Sequence, residues 1–155
     1  DSVILLRTHY YIADMLDFSQ YEGFVFNASQ YEDVSKLYLA SDLCITDYSS
    51  VSWDMYYQEK PVIFYPFDLA VYEEVQGSYM DLEKEAFGDV VHEKEELLTA
   101  LEDYVKHDFA EKDCYKERRK YLLPLRDHKN SERIYQEIKA ARLGSKLKQR
   151  LKHEV

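Results

Sequence analysis

The chain has 155 residues, with 30 Asp and Glu against 20 Lys and Arg, a formal net charge of −10. Apolar residues make up 46% and only four Gly and three Pro interrupt them, which excludes collagen-like, low-complexity and disordered classes and suits one domain with a core of its own. The acidic balance excludes a general nucleic-acid binder, because neutralising phosphates needs clustered Lys and Arg, and no apolar run approaches the ~20 residues of a membrane-spanning helix.

In chain order, residues 3–6 are a continuous apolar run, β-branched at its start, and predict a strand. Residues 24–26 predict a second, closed by Asn27-Ala28-Ser29. Asp33 then opens a helical stripe of Val34, Leu37 and Tyr38. Residues 43–46 predict a third strand, and residues 51–58 a mostly buried helix that ends before Pro61. Residues 62–65 predict a fourth strand and Val90-Val91 a weak fifth. Leu97, Leu98, Leu101, Tyr104 and Val105 recur at helical spacing within residues 92–105. Two further helices are expected over residues 111–122 and 131–143, separated by Pro124.

Strands that read as buried on both faces, alternating with helices, predict an α/β fold with a Rossmann-like parallel sheet flanked by helices. Residues 1–123 form the expected lobe, and residues 124–155 a carboxy-terminal helix and basic tail packing on it. That tail has six Lys or Arg and no acid between residues 139 and 152, with Leu143, Leu147 and Leu151 weakly aligned. Two readings stand for it: a frayed, solvated terminal helix, or a contact with an anionic membrane surface. The first residues lack the basic start and cleavage site of a signal peptide. Cys44 and Cys114 have neither metal-ligand spacing nor a disulfide framework, which points to a reducing, cytoplasmic setting. Fifteen tyrosines suit half-buried surfaces and ligand or partner faces without naming one.

Open parallel sheets bind ligands beyond the carboxyl ends of their strands. The residues there are Arg7-Thr8-His9, Asn27-Ala28-Ser29, Thr46-Asp47-Tyr48-Ser49-Ser50 and Tyr65-Pro66-Phe67-Asp68. Where the third strand gives way to its helix, the Ser49 and Ser50 hydroxyls and free backbone N–H groups suit a phosphate. Helix capping is the competing reading, and the two roles can coexist. A capping box would want Glu or Gln three residues on, where Ser52 and Trp53 stand. No glycine-rich loop precedes the helix, so Walker and dinucleotide fingerprints are absent. Strand alternation puts Arg7 and His9 on one side, where they can hold a diphosphate or exchange a proton with a leaving phosphate; a structural histidine is the alternative. Asp47 orients the loop, bonds a ribose or only stabilises the turn. His92, His107, His128 and His153 look incidental. No carboxylate pair offers a metal site, so neither a protein-bound metal nor a cofactor is expected.

Residues 33–51, ending in Ile45-Thr46-Asp47-Tyr48-Ser49-Ser50-Val51, are similar to the signature of the CDP-glycerol glycerophosphotransferases of teichoic acid synthesis. Further similarities are Arg7-Thr8-His9, Lys60-Pro61-Val62-Ile63-Phe64-Tyr65, Asp68-Leu69, Tyr72, Gly77-Ser78-Tyr79 and Asn130-Ser131-Glu132-Arg133-Ile134. The resemblance runs from residue 3 to about residue 138. It implies the carboxy-terminal, Rossmann-like donor lobe of a two-lobed GT-B transferase. That bacterial enzyme would move glycerol phosphate from CDP-glycerol to a growing poly(glycerol phosphate) chain, in the cytoplasm and peripheral to the inner face of the membrane.

By the same resemblance His9 faces the donor diphosphate and assists departure of CMP. Arg7, Ser49 and Ser50 hold phosphate oxygens, Thr46 and Asp47 shape their loop, and Asn27 and Ser29 lie near the cytidine. Asp68 and Tyr72 match family positions with no role assigned. Two departures stand out: Asp127-His128-Lys129-Asn130-Ser131 replaces the usual Asp-Gly-x-Ala-Ser, and Gln76 precedes Gly77 where the family usually has Arg. The resemblance also implies a fragment. An amino-terminal lobe, which would bind the acceptor and supply its base, and the first strand and helix of this lobe are expected ahead of Asp1. The chain alone would then bind donor weakly, catalyse no transfer and leave an apolar edge prone to homo-oligomerisation. Competing readings are a ribitol-phosphate or other polyol-phosphate transferase, a nucleotide-sugar glycosyltransferase lobe, and a non-catalytic α/β interaction module.

Overall fold

The computed structural model describes residues 2–8, 15, 17–75, 77 and 80–141. His9, Gln76, Ser78, Tyr79 and the basic end beyond residue 141 lie outside the described residues. Backbone contacts divide the chain into two compact units, Asp1–Glu117 and Arg118–Val155.

Among the described residues the first unit contains five strands: β1 (Ile4–Leu6), β2 (Val25–Asn27), β3 (Cys44–Thr46), β4 (Val62–Phe64) and β5 (Asp89–Val90). All pairings are parallel. β1 pairs with β2 in the register Leu6–Asn27, and β4 lies between β3 and β5, with Thr46 opposite Phe64 and Phe64 opposite Val90. Helices α1 (Val34–Ala40), α2 (Val51–Tyr57), α3 (Leu69–Val75), α4 (Leu82–Glu85) and α5 (Lys94–Lys106) connect or flank them, and α6 (Asp113–Leu122) runs across the boundary between the units. The α/β class with parallel sheets flanked by helices is therefore as the sequence predicts. The short α3 and α4 are additions.

β4 is buried along its whole length and its alternating side chains feed two cores. On one face Phe64 meets Phe87 edge to face (5.3 Å between ring centroids), and Phe87 stacks on Tyr56 of α2 at 4.4 Å and lies 4.3 Å from Trp53. On the other, Ile63 packs with Val91 and Tyr104 of α5, ringed by Leu43, Tyr65, Leu97, Ala100 and Phe109. β5 can approach β4 because residue 88 is glycine: a Cβ there would lie 2.2 Å from the Val62 carbonyl oxygen. The α5 start is fixed by a capping box between Glu93 and Glu96. At the amino end of β5, Asp89 accepts hydrogen bonds from Lys112 Nζ (2.5 Å) and the Tyr115 hydroxyl (2.7 Å), tying β5 to the start of α6.

α1 shows the predicted stripe, with Val34, Leu37 and Tyr38 half-buried. Its carboxyl end is closed from outside: Lys60 Nζ donates to the carbonyls of Tyr38 (2.8 Å), Leu39 (2.7 Å) and Ser41 (2.7 Å), a cation placed where a helix leaves its last carbonyls unpaired.

Two expectations change. β1 and β2 are not buried on both faces: Ile4, Leu5 and Phe26 are exposed, Phe26 at 48%. Among the described residues no helix packs over them as α2 packs on β3 and β4, so an apolar run alone did not reveal its covering. α2 is amphipathic rather than mostly buried, with Ser52, Met55 and Tyr56 inside and Asp54 and Tyr57 outside.

The second unit carries the end of α6 and α7 (Asn130–Ala140). Arg133 donates to Asp127 Oδ2 (2.5 Å) and Asn130 Oδ1 (2.6 Å), so the arginine that resembled a family position closes its own turn. The Arg133 guanidinium beside Asp127 holds that carboxyl below the usual range. No helix among the described residues is long and apolar enough to cross a membrane.

Candidate functional site

The carboxyl ends of the strands carry the candidate residues. After β1, the Arg7 guanidinium reaches the exit of β2, its Nη1 donating to the carbonyls of Ala28 (3.1 Å), Ser29 (3.4 Å) and Tyr31 (3.0 Å). Its Nε and Nη2 make no hydrogen bond among the described residues. Thr8 and Ser29 sew the same exits together: the Ser29 hydroxyl accepts from the Thr8 N–H at 3.1 Å and bonds the Thr8 hydroxyl at 3.1 Å. Asn27 Oδ1 accepts from the Ser29 N–H (3.0 Å), closing an Asx turn. Asn27 and Ser29 are thus committed to the shape of the β2 exit, with Ser29 buried and the Asn27 side chain at the surface.

The β3 exit is built differently. Asp47 Oδ1 accepts the N–H groups of Tyr48 (2.6 Å) and Ser49 (3.2 Å). Asp47 is therefore the turn former, and the serines are largely left over. Ser50 occupies the N-cap position of α2 with no side-chain cap bond, and the Ser49 hydroxyl meets the Val51 N–H only at 3.5 Å, the limit of a hydrogen bond. The Thr46 and Ser50 hydroxyls have no partner among the described residues. Capping, one of the two readings of these serines, is at most marginal.

Three residues that sequence reasoning had left without a role meet at this exit. The Tyr48 hydroxyl donates to Asp68 Oδ1 at 2.6 Å, and the Tyr48 ring stacks on Tyr72 of α3 with centroids 3.8 Å apart and planes within 9°. Burial and the neighbouring Asp68 carboxylate push the Tyr48 phenol well up, so it stays protonated around neutrality. The register of β3 beside β4, with Thr46 opposite Phe64, brings the two exits next to each other.

Burial and Asp54 raise the Tyr38 phenol pKa, while Arg7 lowers it. Cys44, in β3, has its thiol pushed up to about 11 by burial, which keeps it protonated and not nucleophilic at neutral pH. Of the histidines set aside as incidental, His92 pairs with Glu83 at 2.8 Å and His107 Nδ1 lies 2.8 Å from the Asp103 carbonyl oxygen. The described residues contain no group of three or more His, Cys, Asp or Glu that could hold a metal ion.

The family model of CDP-glycerol:poly(glycerophosphate) glycerophosphotransferase matches residues 1–140. The chain belongs to this family. A teichoic acid glycerol-phosphate transferase of Staphylococcus aureus is 46% identical over 102 residues, covering 65% of this chain and 26% of that protein. A teichoic acid poly(glycerol phosphate) polymerase of Bacillus subtilis is 38% identical over 125 residues, covering 74% of this chain and 17% of that protein. The solved wall teichoic acid polymerase TagF superposes with a TM-score of 0.72 at 34% identity, over 92% of this chain and 36% of that one; a variant of it was soaked with CDPG. Teichoic acid ribitol-phosphate polymerases match at lower identity, 31% and 30%. This family member thus spans about a quarter or less of the length of these two curated relatives.

Proposed function

We propose that this chain is the donor-binding lobe of a transferase that moves glycerol phosphate from CDP-glycerol to a growing poly(glycerol phosphate) teichoic acid chain. The observation that carries the reading is the β3 exit, where Asp47 forms the turn and the Thr46 and Ser50 hydroxyls are left unspent. Family membership supplies the donor. Glycerol-phosphate relatives at 35–46% identity, against 26–31% for ribitol-phosphate ones, favour glycerol.

In the reaction an acceptor hydroxyl oxygen forms a new bond to the glycerol-bearing phosphorus, the bond from that phosphorus to CMP breaks, and CMP leaves with the charge. Charge therefore grows on phosphate oxygens, where oriented donors stabilise it most. Ser49, Ser50 and the backbone of the turn supply neutral donors, and Arg7 supplies Nε and Nη2 while its Nη1 holds the β2 exit. His9, two residues on from Arg7, would pass a proton to departing CMP. The acceptor, the second wall of the cleft and the base that takes the hydroxyl proton belong to a further lobe of a GT-B type enzyme in this reading. The enzyme works in the cytoplasm at the inner membrane face, where the chain would grow.

Calorimetric titration of the full-length protein tests the donor site. The paired substitutions Ser49→Ala and Ser50→Ala should weaken CDP-glycerol binding by about a hundredfold or more, the loss of two hydrogen bonds to a charged group, with an unchanged circular dichroism spectrum. CDP-ribitol should bind more weakly than CDP-glycerol. Unchanged donor affinity in the paired variant would overturn the site.

A further inference from the structure

In the turn that carries Ser49 and Ser50, the Asp47 carboxylate takes the Tyr48 and Ser49 N–H groups, the Ser49 hydroxyl meets the Val51 N–H only at 3.5 Å, and the Ser50 hydroxyl has no partner among the described residues. The side chain that fixes the turn is the one just before the two serines. Tyr48 is held at three points: its N–H by Asp47 (2.6 Å), its hydroxyl by Asp68 (2.6 Å) and its ring face by Tyr72 (3.8 Å). Asp68 is doubly engaged, because its carbonyl oxygen accepts from the Val71 and Tyr72 N–H groups at 3.0 Å each and so starts α3. The residue that sets the direction of α3 therefore also fixes where the β3 exit can lie.

We propose that Asp68 is a positioning residue which, through the Tyr48 hydroxyl and its stack on Tyr72, holds the 46–50 turn in the geometry that receives the donor phosphates; this rests on the donor reading above. A site that stabilises developing charge gains from groups already in place before the ligand arrives. Asp68 acts here by accepting one hydrogen bond. Its negative charge strengthens that bond but does nothing to attract a dianionic donor. The Tyr48 phenol keeps its proton around neutral pH, so the bond persists under working conditions.

The hydrogen bond and the charge are separable by mutation in the full-length enzyme assayed with CDP-glycerol. Tyr48→Phe keeps the stacked ring and removes only the hydroxyl. Asp68→Ala removes the acceptor, whereas the amide oxygen of Asp68→Asn still accepts it. The KM for CDP-glycerol should rise about five- to tenfold in Y48F and in D68A, with kcat within about twofold, and the double variant should be no worse than either single one. D68N should recover most of the loss. A wild-type KM in Y48F, or a D68N as impaired as D68A, would overturn the assignment. So would a lowered melting temperature with unchanged KM, the mark of a purely structural contact. The paired Ser49→Ala, Ser50→Ala variant separates the two levels. If it raises KM while Y48F does not, only the positioning role fails. If it leaves KM unchanged, the donor site fails and this inference with it.

Discussion

The β3–β4–β5 sheet and the β1–β2 pair are both parallel and both end in candidate site residues, yet they are held by opposite means. Around β4 the cohesion is carbon on carbon: Phe64, Phe87, Tyr56 and Trp53 on one face, Ile63, Val91 and Tyr104 on the other. Around β1 and β2 the apolar side chains stand at the surface, and the described contacts that join the two exits are polar, from Arg7, Thr8 and Ser29. Burial of apolar area stabilises without regard to direction, whereas hydrogen bonds fix angles and contribute little net energy. The first region is therefore a foundation, and the second a shaped edge whose geometry hangs on a few polar atoms.

Replacing one aromatic residue in each region breaks the contrast most directly. Phe87→Ala, at a ring with neighbours on several sides, should cost about 3–5 kcal/mol in urea unfolding. Phe26→Ala, on the exposed strand, should cost less than about 1 kcal/mol. Equal losses would mean that β2 is covered as well as β4. Ser29→Ala comes next. It leaves the Thr8 N–H without its acceptor, so about 1–2 kcal/mol should be lost, and the exchange of the Thr8 amide with solvent should quicken while amides in β4 keep their protection. The smallest effect concerns the Glu96 cap, which belongs to the foundation but is itself polar. Backbone N–H groups of His92 and Glu93 hold the Glu96 carboxyl below its ordinary value of 4.5. A depressed carboxyl stabilises the fold above its unfolded pKa and stops doing so as pH falls through the native one. The melting-temperature gap between the wild type and Glu96→Ala should therefore be steady near neutrality and close once the pH drops well below 4.5.

Much of the foundation was legible in the sequence because its periodicities are strong. The run around Ile63 reads as a strand and the spacing from Leu97 to Tyr104 as a helix, and both are present. Asp33 with Val34, Leu37 and Tyr38 likewise marks α1. The edge was misread at β1 and β2, since apolar character tells what a residue prefers and not what stands opposite it. α4 escaped because four residues give too few turns for a helical period to register. At the site, the exits of β1 to β4 followed from the rule that parallel sheets present their carboxyl ends. The engagement of Arg7 Nη1 with the β2 exit and the meeting of Tyr48 with Asp68 and Tyr72 depend on register and rotamer, which a string of letters does not carry. His9 lies outside the described residues, so its role rests on the sequence and the family alone.

Lys60 has one more implication. By grasping the carbonyls of Tyr38, Leu39 and Ser41, a single ammonium buckles the polypeptide into a loop that contains β3, the serine turn and α2. The same loop is drawn together a second time where β3 pairs with β4, Cys44 opposite Val62. Arginine carries the same charge, but each of its terminal nitrogens has two N–H groups rather than three, so it can reach three oxygens only by sharing a hydrogen, as Arg7 Nη1 does across Ala28, Ser29 and Tyr31. The buckle depends on the tetrahedral shape of the amine as much as on its charge, and acylation of that one nitrogen would undo it.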